Sequence, residues 1–193
     1  MTRSRFLLLA LVLLAPLALL LGVSGPGGDG KPKSTFSLDE ARSFTDFPVY
    51  YAGDAAAGAP LVAVLRRNDT ADYVSFVYGE CDATDETGCA PAAEVQVWPA
   101  CRRNPSMYAR GRSAIAPRPD PTTVRGAPAA FFDDGARLEI QTATSTVVVF
   151  GADREAVSSI AGALRGVNAD VRPGQPFPRP APGALDGTLS CGG

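Results

Sequence analysis

The pattern of apolar positions divides the chain into an apolar N-terminal segment and a longer part in which apolar residues occur in short runs. The run from Phe6 to Val23 contains no charged residue and follows Arg3 and Arg5. An uncharged run with basic residues before it is typical of a membrane-inserting segment whose basic side stays in the cytoplasm. We therefore predict that residues 1–24 are a signal anchor or a signal peptide, and that the remainder is exported.

The length of residues 6–23 leaves both forms of this segment open. The run is long for the core of a signal peptide and slightly short for a straight spanning helix. Gly22 and Ser24 permit cleavage, although they are not the preferred Ala-x-Ala pair. We expect a single-pass protein of the cell membrane with its C-terminal domain outside, or a secreted protein after cleavage. Residues 25–35, rich in Gly and Pro, are predicted to be a flexible linker.

After the linker, short runs of Val, Phe and Tyr alternate with turn residues, which favours strands over a helical bundle. The run Leu61–Leu65 is apolar on both faces and is expected to be a central strand, followed by a turn at Asn68–Asp72. Alternation over residues 94–98 places Val95 and Val97 on one face. The predicted strands cover residues 49–51, 61–65, 73–78, 94–98, 129–132, 137–142 and 146–150.

The clearest part of the pattern is a three-strand meander over residues 129–150. Its first turn carries the hairpin signal Asp133-Asp134-Gly135. In the middle strand, two apolar residues alternate with three polar ones, namely Leu138 and Ile140 with Arg137, Glu139 and Gln141. One face of this part of the sheet is therefore expected to contact water.

Two short helices are predicted from their first residues. Ser37, with Glu40 three residues later, has the spacing of a capping box before a helix within residues 37–44. Asn104 followed by Pro105 is typical of the cap and first turn of another short helix.

A longer helix is predicted after the meander, with Asp153 as its N-cap and Gly166 as the residue that can end it. Apolar residues recur at helical spacing at Val157, Ile160, Ala161 and Leu164. We predict a single extracytoplasmic α+β domain over residues 36–193, mainly an antiparallel sheet with a C-terminal helix packed on it.

The C-terminal segment over residues 172–190 is rich in proline, with Pro173, Pro176, Pro178, Pro180 and Pro182. Proline imposes polyproline II geometry and prevents both a helix and a central strand. One interpretation is a ligand for a proline-recognition domain. The favoured interpretation is an extended strap over the domain, because Cys191 follows it and needs a partner.

Two disulfides are expected, because all four cysteines, Cys81, Cys89, Cys101 and Cys191, lie on the exported side. The sequence permits three pairings. Closure of the loop between Cys81 and Cys89 would leave Cys101 to pair with Cys191 and would pin the strap. The spacings lack the CxxC knuckles of a zinc site, so no metal site is assigned.

Composition excludes several classes of function. The chain has no histidine, which excludes Ser-His-Asp and Cys-His catalysis and imidazole metal sites. Lysine occurs only at Lys31 and Lys33, in the linker, so a buried Schiff-base lysine is excluded as well. The formal net charge of −2 argues against a nucleic-acid partner. We assign no catalytic residue and no cofactor.

Two groups of carboxylates remain candidates for chemistry. The first group is Glu80, Asp82, Asp85 and Glu86. It could hold Ca²⁺, but its spacing is not that of an EF-hand loop, and a solvated loop is the simpler interpretation. The second group is Asp133 and Asp134, which could act as an acid–base pair. Adjacent carboxylates before a glycine most often form the turn itself.

Arginines are concentrated in residues 101–126, where Asp120 is the one acidic residue. They are Arg102, Arg103, Arg110, Arg112, Arg118 and Arg125. The guanidinium group donates two parallel hydrogen bonds to a phosphate or a carboxylate. An anionic envelope polymer, a lipid headgroup or an acidic protein could therefore bind there. The possible anion-binding residues are Arg102, Arg103, Arg110 and Arg112. The alternative is a solvated connection whose arginines pair with the acidic loop.

The chain resembles exported proteins of unknown function from high-GC Gram-positive bacteria in the strings FPVYYAG, VYGEC, WPACRRN and PAAFFDDGARLEIQTATSTVVVFG. The resemblance covers residues 37–191. It implies a location in the cell envelope, and it implies no activity and no site residues.

The leading hypothesis is a domain tethered to the membrane through residues 6–23, with a non-enzymatic role in binding or in envelope structure. One alternative is an exported carboxylate-dependent hydrolase, with Ca²⁺ assistance as a variant of it. Another is binding of anionic polymers or lipids through Arg102–Arg125.

Overall fold

An antiparallel sheet of eight strands forms the centre of the part of the chain that the structure describes. The computed structural model describes residues 36–67, 72–80, 90–110 and 119–192. In chain order, the strands are β1 (Tyr50–Tyr51), β2 (Ala55–Ala56), β3 (Ala59–Arg67), β4 (Tyr73–Tyr78), β5 (Ala93–Pro99), β6 (Asp120–Val124), β7 (Ala127–Phe132), β8 (Arg137–Thr142), β9 (Ser145–Phe150) and β10 (Arg165–Gly166). The helices are α1 (Leu38–Ser43), α2 (Pro105–Arg110) and α3 (Arg154–Ala163).

The order of strands within the large sheet is β2-β3-β4-β5-β9-β8-β7-β6, and every neighbouring pair is antiparallel. Strands β1 and β10 form a separate antiparallel pair. The fold is therefore mainly an antiparallel sheet accompanied by short helices, which confirms the predicted class at this level of detail.

Local sequence patterns predicted several elements correctly. Strand β4 coincides with the predicted residues 73–78, and β5 buries both Val95 and Val97 completely. The predicted meander is formed by β7, β8 and β9. The capping box is also confirmed, because the Ser37 hydroxyl accepts from the Glu40 amide while the Glu40 carboxylate accepts from the Ser37 amide.

The prediction that Leu61–Leu65 forms a central strand is wrong. Strand β3 pairs with β4 along its length, but its other side pairs only with the two residues of β2. Val62 is consequently 42% exposed. The remaining apolar residues of the run are half-buried, and the Phe36 amide donates to the Val64 carbonyl at 3.2 Å on the open side of the strand. Both faces of β3 are partly covered. Apolar residues therefore occur on both faces of this strand, although it lies next to the edge of the sheet.

Helix α3 contributes its apolar side to the main core. Val157, Ile160 and Ala161 are buried in the same cluster as Leu138 and Ile140 of β8. Asp153 caps the helix by accepting from the Ala156 amide, as predicted. The helix is not C-terminal, however, because residues 164–193 follow it.

The prediction that Gly166 ends helix α3 is wrong. The helix ends at Ala163, and Gly166 belongs to β10, where it pairs with Tyr50. A side chain at residue 166 would lie 1.9 Å from the Ala169 carbonyl oxygen, so this close approach explains the glycine.

The prediction of a wet sheet face is also wrong. The polar face of the sheet, which carries Gln96, Glu139 and Gln141, is covered at its centre. Glu139 is 2% exposed and Gln141 is 3% exposed. Arg103, from the turn that follows β5, lies against Glu139. Strand alternation identifies the residues that share a face, but it does not show that a distant turn covers them.

Two tyrosines of the core offer a matched test of hydrogen bonding. Tyr50 and Tyr78 are both fully buried. The Tyr78 hydroxyl accepts from the Ala52 amide at 3.0 Å, whereas the Tyr50 hydroxyl makes no hydrogen bond of good geometry among the described residues, although the Thr142 side chain is near enough to lower its pKa. We expect Tyr78→Phe to lower the free energy of unfolding by about 1–3 kcal/mol, because it leaves a buried amide unpaired.

We expect Tyr50→Phe to leave the free energy of unfolding unchanged or slightly higher, because it removes a buried hydroxyl that makes no hydrogen bond of good geometry, with only the Thr142 side chain near it. Urea unfolding of both variants with the disulfide oxidised makes the comparison. Equal losses in the two variants would contradict the difference between the two hydroxyl groups.

Candidate functional site

The polar face contains a buried ion pair between Arg103 and Glu139. The Arg103 Nε lies 3.2 Å from Glu139 Oε2, and its Nη2 donates to Glu139 Oε1. Arg137 Nη1 lies 3.5 Å from the same Oε1, and Arg137 Nε lies 3.1 Å from Asp133 Oδ2. Glu139 therefore lies between two guanidinium groups, with a second carboxylate at the outer end of the row.

Burial governs the ionisation of this group of charges. Burial raises the pKa of Glu139, and the hydrogen bond and charge of Arg103 offset that effect only in part. Burial also lowers the pKa of Arg137, which Asp133 counteracts. A carboxyl group with a raised pKa would be a candidate for proton transfer if it lay in an open cleft. Glu139 is 2% exposed and held by Arg103, so the geometry is that of an internal support.

The rest of the polar face is linked by side-chain hydrogen bonds along β5 and by one bond from β4 to β5. Ser75 donates to Glu94 at 2.6 Å, Gln96 donates to Glu94 at 2.9 Å, and the Trp98 indole donates to Gln96 at 3.1 Å. Trp98 also stacks on Tyr73 with ring centroids 4.2 Å apart. These donors and acceptors satisfy one another, so they are not free to orient a substrate.

Besides Tyr73, Arg103 lies against the Trp98 ring and limits the access of a ligand to it. The Arg103 guanidinium lies 5.1 Å from the centre of the Trp98 ring. Thr146 lies under the same turn, since its hydroxyl donates to the Arg103 carbonyl. The ring therefore packs between elements of the fold.

Asp133 and Asp134 form the turn between β7 and β8. Both have a left-handed backbone conformation, with φ of 53° and 54°. Gly135 follows with φ of 100°, and a side chain there would lie 2.7 Å from Arg154 Cβ. The carboxylate of Asp133 is engaged with Arg137. The pair therefore occupies a tight turn with left-handed backbone at both residues, which agrees with the turn interpretation of this motif.

The predicted anion-binding arginines do not form one surface within the described residues. Arg102 is exposed, whereas the adjacent Arg103 turns inward to Glu139. The side chain of Arg110 and the whole of Arg112 lie outside the described residues, as does Arg118. Anion binding by Arg102, Arg103, Arg110 and Arg112 stays a prediction, and the geometry already commits Arg103 to an internal partner.

The acidic loop proposed for Ca²⁺ also lies outside the description, except for Glu80, which is exposed. Cys81 and Cys89 belong to the same loop and are likewise not described. Cys101 is bonded to Cys191, with Cα atoms 5.3 Å apart and a sequence separation of 90. This is the pairing that local closure of the other two cysteines would leave. It fixes the end of the strap to the turn that carries Arg103.

Arg125 holds the beginning of the strap. It lies in the turn between β6 and β7, with φ of 50°, and it donates to three main-chain carbonyl groups. The acceptors are Leu164 at 2.5 Å, Arg172 at 2.6 Å, and Gln175. Burial lowers the pKa of Arg125, and the guanidinium makes no ion pair among the described residues. We call this arrangement the Arg125 clamp.

Further contacts tie the strap to two hairpin turns. The Phe177 amide donates to the Arg125 carbonyl at 3.0 Å, and the Ala181 amide donates to the Ala143 carbonyl at 2.8 Å. The Phe177 side chain is buried against Tyr50, with ring centroids 5.5 Å apart, and the Arg125 guanidinium lies 4.1 Å from the Phe177 ring centre. The strap is thus attached at several points between its start and Cys191.

Sequence patterns alone did not identify the Arg125 clamp or the ion pair of Glu139. The one local signal for the clamp is Arg125-Gly126 between two strands, which marks a turn but does not show where the side chain points. Glu139 was correctly placed on the polar face. Its burial depends on Arg103, which lies 36 residues away in sequence.

The raised pKa of Glu139 gives a pH dependence of defined sign. The folded protein takes up this proton more readily than the unfolded chain, whose carboxyl group has an ordinary value of 4.5. The contribution of Glu139 to stability therefore increases as the pH falls through the raised pKa towards 4.5. We expect the stability of the wild type relative to Glu139→Gln to be greater at about pH 5 than at about pH 8.

The measurement is the free energy of urea unfolding at both pH values. Glu155→Gln, which changes an exposed carboxylate on α3, is the matched control. A relative stability that falls on acidification would show that the arginines favour the ionised form of Glu139 more strongly than burial opposes it.

The Arg125 clamp predicts local loosening of the strap on substitution. In Arg125→Lys the charge remains, but a single ammonium group cannot replace a fork that reaches three carbonyl groups. We expect hydrogen exchange at the Phe177 and Ala181 amides to accelerate about tenfold or more, which corresponds to about 1.4 kcal/mol. Arg172→Lys, at an exposed side chain, is the control. Unchanged protection in Arg125→Lys would show that the clamp does not hold the strap.

No helix within the described residues is long and apolar enough to cross a membrane, and residues 6–23 lie outside them. Comparison with known proteins gives no match among protein-family models, curated proteins or solved structures. The functional conclusion therefore depends on the contacts described above.

Proposed function

We propose that the chain is a membrane-tethered extracytoplasmic domain that acts by binding or by supporting the envelope, without catalysing a reaction. The observation that carries the proposal is the disulfide between Cys101 and Cys191. Disulfides form and persist in oxidising compartments outside the cytoplasm. The basic residues and the uncharged run at residues 3–23 supply a route to such a compartment.

The engagement of ionisable side chains within the fold supports a non-enzymatic role. Glu139 is paired with Arg103, Asp133 is paired with Arg137, and Arg125 is saturated by main-chain carbonyl groups. Each of these groups contributes to holding a turn or the strap in place. A hydrolase that depends on Asp133 would need that carboxylate free of Arg137, with which it forms an ion pair.

The disulfide also indicates what the domain offers to a partner. A bond that closes a loop of about 90 residues restricts the unfolded chain, which stabilises the folded state by about 4–5 kcal/mol in the chain-entropy model. Here it also fixes an extended segment that has no strand or helix of its own. The proposed domain therefore presents a rigid, non-regular surface outside the membrane.

The compartment is tested with the full chain expressed in a bacterium. We expect the protein in the membrane fraction or the medium, accessible to added protease in intact cells or spheroplasts, with Cys101 and Cys191 labelled by a thiol reagent only after reduction. In Leu13→Arg, a charge in the middle of the apolar run costs about 2.5–3.5 kcal/mol of insertion free energy and should retain the protein inside.

Leu13→Val is the matched control for the insertion test and should behave as the wild type. Protease-resistant protein with both thiols reduced in the wild type would overturn the proposed compartment. Turnover of substrates in a hydrolase panel that is lost in Asp133→Asn would overturn the non-enzymatic role.

A further inference from the structure

Three residues of the strap that are spaced three apart, Pro176, Arg179 and Pro182, are exposed. Between them Phe177 is buried, Pro180 and Ala181 are half-buried, and Pro178 is exposed. A polyproline II helix has three residues per turn, so residues three apart lie on one edge and rise by about 9 Å per turn. We call Pro176, Arg179 and Pro182 the outer edge of the strap. The inner edge begins with Phe177, which anchors the segment on Tyr50.

The conformation of the outer edge is fixed before any partner binds. Proline fixes φ at alternate positions, and the amides of Phe177 and Ala181 are bonded to the hairpin turns. The Thr142 hydroxyl donates to the Pro178 carbonyl at 3.0 Å. A partner that binds this edge would therefore lose little free energy in ordering it, which favours recognition of a preformed segment.

The charge on the outer edge has no counterpart within the described residues. Arg179 is exposed and makes no ion pair there. The nearby Asp186 is engaged with Thr188, whose amide and hydroxyl lie 2.9 Å and 2.7 Å from its carboxylate. A carboxylate on a partner could pair with Arg179 without displacing an internal contact.

An apolar groove runs beside the outer edge. It has a volume of about 500 Å³, and its lining includes the apolar residues Pro128, Pro182 and Leu185 together with the charged residues Arg179 and Asp186. Leu185 is 42% exposed. The rim of a partner that grips Pro176 and Pro182 would thus meet apolar surface next to the strap.

We propose that the outer edge of the strap is a docking ridge for a protein domain whose aromatic-lined groove carries carboxylates at its rim. Such grooves bind extended proline segments because the rings pack on proline and the bound conformation is already populated. The order Pro-x-x-Arg-x-x-Pro places the cation between two apolar contacts on the same edge. This inference rests on the proposed function, because a natural partner would have to be present in the same extracytoplasmic compartment.

The test uses purified full chain in detergent, with its disulfide intact, and a panel of WW domains and proline-binding Src-homology domains that have acidic rims. Binding is measured from the fluorescence of the groove tryptophan in each probe domain. We expect at least one domain to bind with a Kd below about 100 µM, which is about −5.5 kcal/mol.

Arg179→Glu should weaken that binding at least tenfold, whereas Arg67→Glu, the same change at an exposed arginine of β3, should leave it unchanged. Replacing the rim carboxylate of the probe domain by Arg should restore binding to Arg179→Glu. The hydrogen-exchange protection of the Phe177 amide reports that the strap remains in place in each variant.

The absence of binding across the panel, or equal binding by Arg179→Glu and Arg67→Glu, would overturn the inference. Because these measurements use purified protein, they leave the compartment untested. A failure of docking and a failure of the proposed location are therefore distinguishable.

Discussion

The guanidinium of Arg125 joins three segments that are far apart in the sequence. It lies in the β6–β7 turn, and it makes no ion pair within the described residues. Instead it bonds the Leu164 carbonyl at the end of α3 and the Arg172 and Gln175 carbonyls at the start of the strap. Carbonyl groups at a helix end and in a chain without regular structure otherwise need water or another donor. One side chain therefore connects the end of the helix, the hairpin turn and the start of the strap by hydrogen bonds.

The buried ion pair on the polar face has a related effect at the other end of the strap. Removing two charges from water costs several kcal/mol per ion, so the pair of Arg103 and Glu139 is weak support for a claim of high stability. Its geometric consequence is clearer. Arg103 lies two residues after Cys101, so the ion pair fixes this turn to the sheet and the disulfide fixes the end of the strap to the same turn. The strap is consequently held by Arg125 at its start and by this turn at its end.

The features that the sequence predicted correctly depend on neighbouring residues. The capping box of Ser37, the alternation in β5 and the β7–β8–β9 meander each follow from short-range periodicity or turn chemistry. The wrong predictions depend on distant residues. The pattern of Leu61–Leu65 predicts a central strand, because it does not show that the strand on its other side has only two residues. The pattern of β8 predicts a wet face, because it does not show that Arg103 lies against Glu139. The Arg125 clamp is of the second kind, because no periodicity specifies its acceptors.

Packing in the core does not by itself explain why the whole strap is ordered. Ordering an extended segment costs about 1–2 kcal/mol per residue in backbone entropy. This segment forms no strand, so main-chain hydrogen bonds such as those of the Phe177 and Ala181 amides to the hairpin turns offset the cost only at separate points. Phe177 accounts for the inner edge, because its ring fills space beside Tyr50. Pro176, Arg179 and Pro182 bury little, so the core gains little from fixing their positions. The burial of these three side chains therefore does not explain why the outer edge is ordered. This is the physical argument for proposing that the outer edge binds a partner.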